Sequence, residues 1–150
     1  MKKKEVIFYE SNSFPSPGPE ILELKAGNKG SDSGFGYMRE IQLTERKIKN
    51  FWKKMDELNV WNWEKNYSFG EICDGHMWQL NLRNKEGKVK ISKGHQEYPH
   101  NFKKVINALI IYLVLKLKKD KVLIQKNRLL NLVHNIMVVG SIYYWKTTEV

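Results

Sequence analysis

Residues 76–92, HMWQLNLRNKEGKVKIS, constrain the fold more than any other stretch. Trp78, Leu80 and Leu82 alternate with Met77, Gln79, Asn81 and Arg83. After the turn-forming NKEG, Val89 and Ile91 alternate with Lys88, Lys90 and Ser92. Successive side chains of a strand point to opposite faces, so a period of two reads as strand rather than helix. The two runs predict a hairpin with one apolar face, carrying Val89 and Ile91 with Trp78, Leu80 and Leu82, and one wet, basic face. Just upstream, in EICDGHMWQL (71–80), Asp74-Gly75 is a favoured two-residue hairpin loop, since both positions tolerate positive φ. A third antiparallel strand ending at Cys73 is therefore expected.

Further strands are expected at 5–9, 20–25 and 37–43, the last with Tyr37, Arg39, Ile41 and Leu43 on one face. The segments SNSFPSPGP and AGNKGSDSGFG read as Pro/Ser/Gly-rich connections. Thr44 is placed to cap a helix in which Ile48, Phe51, Trp52, Met55 and Leu58 form one apolar stripe, with Lys47, Lys49, Lys53, Lys54, Asp56 and Glu57 largely away from it. NVWNWEKNY breaks that helix and carries Trp61 and Trp63, which either lid the core or clamp a ligand. Pro99 disfavours helix at Tyr98, and Asn101 is a suitable cap for a helix from Phe102, apolar nearly all round between Val105 and Leu115. Leu129, Leu130, Val133, Ile136 and Met137 mark another amphipathic helix, stopped at Gly140, with SIYYW as a closing strand. The reading is an α+β fold: an antiparallel sheet of five or six strands packed against helices at 45–58 and 102–118, with an additional C-terminal helix. Residues 1–118 make the core domain and 119–150 a basic extension.

A hydrophobic content of 41% with 18 aromatic residues fits a folded chain. One cysteine makes no internal disulfide, which together with the short N-terminal apolar run fits a cytoplasmic protein. The longest apolar run, VINALIIYLVL, is well short of the roughly 20 residues that span a membrane. The net charge of +10 is uneven. Residues 1–43 hold six basic and six acidic side chains, 44–101 eleven and eight, and 102–150 nine and two. An anionic partner is thus expected at the last third.

The segments LTERKIKNFWKKMDELNVWNW, DGHMWQLNL and GHQEYPHNFKKVINAL resemble small bacterial domains of unknown function that share an amphipathic helix, a Trp-containing loop, a DG-x-x-W-x-L strand and a G-x-x-x-Y-P turn into a final helix. The resemblance covers about residues 36–113 and implies a compact α+β domain, with no activity or catalytic residue attached to it. In such domains the chain ends soon after the YP helix, whereas here it runs on to residue 150.

Three residue sets bear on possible catalytic or metal chemistry. Cys73 and His76 flank the expected turn as a nucleophile–base pair would, but no orienting partner or oxyanion hole accompanies them. His76, His95 and His100 with Asp74 or Glu97 form only a loose metal-ligand set. The triplets ELK (Glu23, Lys25) and EGK (Glu86, Lys88) match the acidic-x-Lys of metal-dependent nucleases, at a length that chance supplies readily. No catalytic residue, metal or cofactor is expected. The reading is a non-enzymatic binding protein of adaptor, inhibitor or immunity type, taking an acidic protein partner through a basic surface. Its expected contacts are Trp61, Trp63, Lys88, Lys90, Lys116, Lys118, Lys119, Lys121, Lys126 and Arg128. The alternative is nucleic-acid binding through the basic C-terminal third; an anionic membrane surface ranks lower, and self-association is a further option.

Overall fold

Apolar alternation decides the centre of the sheet. The computed structural model describes residues 3–13, 18–68 and 74–114. In chain order these form β1 (Val6–Ser13), β2 (Glu20–Lys25), β3 (Lys29–Gly34), β4 (Tyr37–Gln42), α1 (Glu45–Glu57), a single 3-10 turn (Val60–Asn62), β5 (Asn66–Ser68), β6 (His76–Arg83), β7 (Val89–His95) and α2 (Phe102–Leu113). The strands make one sheet in the order β4-β3-β2-β1-β6-β7-β5, antiparallel except for the parallel β5–β7 pair. The α+β class stands, while the sheet has seven strands and is mixed rather than five or six and purely antiparallel. Residues 115–150, with the expected C-terminal helix and closing strand, lie outside the described residues.

The two added strands lack the usual signal. β3 reads KGSDSG, and its buried positions are Gly30, Ser31 and Asp32. Asp32 tolerates burial because it is paired: Arg39 Nη2 donates to its Oδ2 at 2.9 Å and the Tyr37 hydroxyl to its Oδ1 at 3.3 Å. Gly30 is required by a close approach, since a Cβ there would strike the backbone of Leu113 at the end of α2. β5 is only three residues, Asn66, Tyr67 and Ser68, paired along the edge of β7, with Tyr67 packed against the core.

Both helices lie on one face of the sheet. Thr44 Oγ1 accepts from the Lys47 N–H at 3.2 Å, and α1 buries Ile48, Phe51 and Met55. α2 buries Phe102, Val105, Ile106, Ala108, Leu109 and Leu113. These join Ile7, Tyr9, Leu22, Ile41, Leu80 and Leu82 of the sheet in one core. Asn101 does not cap α2 with its side chain. Its Nδ2 instead donates to the Leu58 carbonyl at 2.6 Å, and its Oδ1 accepts from Trp63 Nε1 at 2.9 Å, so one amide ties the end of α1 to the tryptophan loop.

Two sequence expectations are corrected. First, the strand expected to end at Cys73 lies outside the described residues, and the described partners of β6 are other strands. Both edges of β6 are occupied, by β1 from His76 to Arg83 and by β7 from Met77 to Arg83. Second, β7 is turned over: Leu80 pairs with Ser92 and Leu82 with Lys90, so Lys90 and Ser92 share the core face while Val89 and Ile91 point out. Ser92 is fully buried and its Oγ donates to the Glu64 carbonyl. The turn at 84–88 sets this register. Asn84 Oδ1 accepts from the Lys88 N–H at 2.8 Å, the Gly87 N–H donates to the Asn84 carbonyl at 3.0 Å, and Gly87 takes a φ of 86°. A one-residue slip there exchanges the two faces of the strand.

Candidate partner-binding surface

The four expected contact residues within the described structure separate into two pairs. Trp63 is buried against Trp78 and Phe102, with ring centroids 6.0 and 6.2 Å away. Lys90 is half-buried and its Nζ donates to the Trp63 carbonyl at 2.6 Å, so both serve the fold. Trp61 and Lys88 do meet at the surface. Lys88 Nζ sits 4.6 Å from the Trp61 ring centroid and 3.9 Å from Asp56 Oδ1, to which Trp61 Nε1 donates at 2.6 Å. Trp61 also stacks on Trp52 at 6.2 Å, which leaves this cluster largely satisfied within the chain. Lys116, Lys118, Lys119, Lys121, Lys126 and Arg128 lie outside the described residues, as does Cys73.

The inverted register of β7 creates a surface the sequence pattern conceals. The face of the sheet opposite the helices carries Phe8, Glu10, Ile21, Glu23, Met38, Met77, Gln79 and Asn81, and no described helix packs on it. On β7 that face presents Val89 at 53% exposure and Ile91 at 55%. Arg83 stands directly across from Val89, and Lys93 follows Ile91 along the strand. Alternate residues of a strand are about 6.6 Å apart, so a cation, two aliphatic side chains and a second cation occupy roughly 13 Å. Asn81, between Phe8 and Ile91 in the cross-strand row, has a buried Oδ1 with no donor among the described residues.

A cleft of about 590 Å³ adjoins this patch where β1, β6, β7 and β5 meet. Glu10, Asn12, Ser68, Gln79, Lys93 and His95 are among its lining residues, and Gln79 Nε2 donates to Glu10 Oε2 at 2.6 Å. Lys93 belongs to both the cleft and the patch.

Among the described residues His76, His95 and His100 do not gather as a metal-ligand set. His76 is buried, with Nδ1 2.9 Å from the Tyr98 hydroxyl, and burial lowers its pKa to about 4. Burial also pushes the Tyr98 phenol up to about 12, so both groups are neutral near pH 7 and share an uncharged hydrogen bond. His95 Nε2 lies 3.1 Å from the Asp74 carbonyl oxygen. Among the described residues no three His, Cys, Asp or Glu side chains gather as metal ligands. Glu23 and Lys25 of the ELK triplet belong to an ion-pair group, with Lys25 Nζ 2.8 Å from Glu40 and 3.7 Å from Glu23. No described helix is long and apolar enough to cross a membrane.

No family model, curated protein or solved structure matches this chain. The surface is thus read from its own residues.

Sequence reasoning missed Arg83, Val89, Ile91 and Lys93 as a unit. One signal was present in Gly94. It lies in register with Trp78, and a Cβ there would collide with the indole and come within 2.7 Å of the Glu97 carbonyl oxygen. A glycine in the even-numbered set of β7 marks the side on which a bulky core residue needs room, and Lys90 and Ser92 belong to that set.

Proposed function

We propose that the protein is a non-enzymatic binding protein of adaptor, inhibitor or immunity type, which takes an acidic protein partner on the open face of its sheet. One observation carries the reading: two half-exposed aliphatic side chains, Val89 and Ile91, displayed on a paired strand between Arg83 and Lys93. Full burial of such a side chain contributes about 1.5–3 kcal/mol, so covering the exposed half of both adds on the order of 2–3 kcal/mol. Arg83 and Lys93 supply charge complementarity to an acidic rim, which speeds encounter and selects among partners. The basic surface expected at 116–128 is complementary to the same class of partner, on residues outside those described.

A photo-crosslinking residue placed at position 91 in the host, with position 50 on α1 as control, tests this. The expected result is one discrete adduct from position 91, lost when Arg83 and Lys93 are both changed to Glu, with an acidic protein identified in it. Absence of an adduct at 91, or an adduct indifferent to the charge reversals, refutes the reading.

A further inference from the structure

On the helix-covered side of the sheet, the outer surface of α1 combines a rigid scaffold with cations that are unpaired among the described residues. Arg46, Lys49 and Lys53 are all exposed. At 3.6 residues per turn they fall within an arc of about 60°, and at 1.5 Å per residue they extend over about 10 Å. None of the three makes an ion pair among the described residues. The acidic side chains further along that arc are engaged elsewhere: Asp56 with Trp61 and Lys88, and Glu57 with Lys54 at 3.1 Å. Glu45 opens the helix and forms no ion pair with Lys49.

Arg46 and Lys47 sit in the first turn, where the macrodipole is positive and favours carboxylates, so their placement runs against helix stability. Their helix is nonetheless held firmly, because Ile48, Phe51 and Met55 are buried and Trp52 Nε1 donates to Glu5 Oε1 at 2.6 Å. A fixed row of three cations, each able to donate hydrogen bonds, is complementary to an evenly spaced row of anions.

We infer that Arg46, Lys49 and Lys53 of α1 form a contact surface for the phosphate backbone of a nucleic acid. A length of about 10 Å is about three base-pair rises of 3.4 Å, a stretch that carries four phosphates of one strand, so the row spans enough anions to occupy all three cations. Contacts of this kind position a polyanion without reading its sequence. This surface is separate from the open sheet face, which lies on the other side of the strands, and either can fail without the other.

The test uses the full chain and a labelled DNA duplex of about 20 base pairs of arbitrary sequence. Binding is followed by fluorescence anisotropy from about 50 to about 200 mM salt. Each neutralised phosphate contributes about 0.9 to the slope of log K against log salt, so the triple variant R46Q/K49Q/K53Q is expected to lose nearly 3 from the magnitude of that slope. F35S, in the exposed turn between β3 and β4, is expected to keep the slope of the parent. Thermal melting checks that the triple variant remains folded, which its intact buried stripe favours. If the parent chain shows no binding at the lowest salt, or the triple variant keeps its slope, the inference is overturned. Retention on anionic vesicles with no binding of the duplex overturns it equally.

Discussion

Ile91 and Ser92 are neighbours in sequence on opposite faces of β7, and placing the same charge at each tests the register directly. Ile91 is 55% exposed, so an aspartate there keeps its carboxylate in water. It loses the half of the isoleucine contact that is buried, together with some strand preference, at a cost of about 1–2 kcal/mol. Ser92 has no exposure, and its hydroxyl is the partner of the Glu64 carbonyl. An aspartate there brings an unpaired charge and extra volume beneath Leu80, and it faces a carbonyl it cannot donate to while ionised. Such changes fall in the rare class above about 4 kcal/mol. The difference of at least about 2 kcal/mol is read from urea unfolding monitored by tryptophan fluorescence. With a slope of about 1–3 kcal/mol per molar, it separates the two midpoints by about 1–2 M. An Ile91→Asp chain that unfolds at lower urea than Ser92→Asp would place Ile91 in the core, and both the register and the proposed open-face patch would fall with it.

Gly30→Ala is expected to lose about 1–3 kcal/mol, because its methyl group meets the Leu113 backbone rather than a side chain that can move aside; thermal melting checks this. Asn101→Ala removes two hydrogen bonds at once and leaves the Leu58 carbonyl and the Trp63 indole unsatisfied, for an expected loss of about 2–4 kcal/mol in urea. His76 gives a pH signature. Its folded pKa of about 4 lies below the unfolded value of 6.5, so the unfolded chain binds more protons between those values. Its contribution is complete above pH 6.5 and declines as pH falls toward 4, by up to about 3 kcal/mol. Urea midpoints for the parent and His76→Gln chains should converge over that range, and a constant gap would refute the assignment.

The parts of the fold legible from sequence were those whose burial follows a hydrophobic period. α1 announced both its cap and its stripe, and β6 its alternation. β3 gave no such signal, because what it buries is a glycine, a serine and an aspartate whose partner, Arg39, belongs to the next strand. The Asp74-Gly75 turn preference is purely local, and the strand expected to precede it lies outside the described residues. The competing fact, β1 claiming the edge of β6, depends on residues more than sixty positions away. For β7, two alternating sets were available and the aliphatic one looked like the core. The deciding features were the 84–88 turn and the space Trp78 needs above Gly94, which are geometric. Of the four expected contacts that are described, Trp63 and Lys90 hold the fold together, whereas Val89 and Ile91, which the sequence pattern put inside, face outward.

The strand order also governs when the chain can become a domain. β1 emerges first from synthesis yet sits in the middle of the sheet, and its β6 ladder joins Val6 to Arg83 and Ser13 to His76. The β2–β3–β4 meander closes over short loops and has all its partners early. The second edge of β1 waits until β6 has been made, exposing Phe8 and Tyr9 beside unpaired backbone in the interval. Long-range pairing of this kind is slow, because loop entropy is lost before contacts are gained. The β1–β6 seam is thus expected to form late, and its open edge is where an unfinished chain is most exposed to pairing with a neighbour.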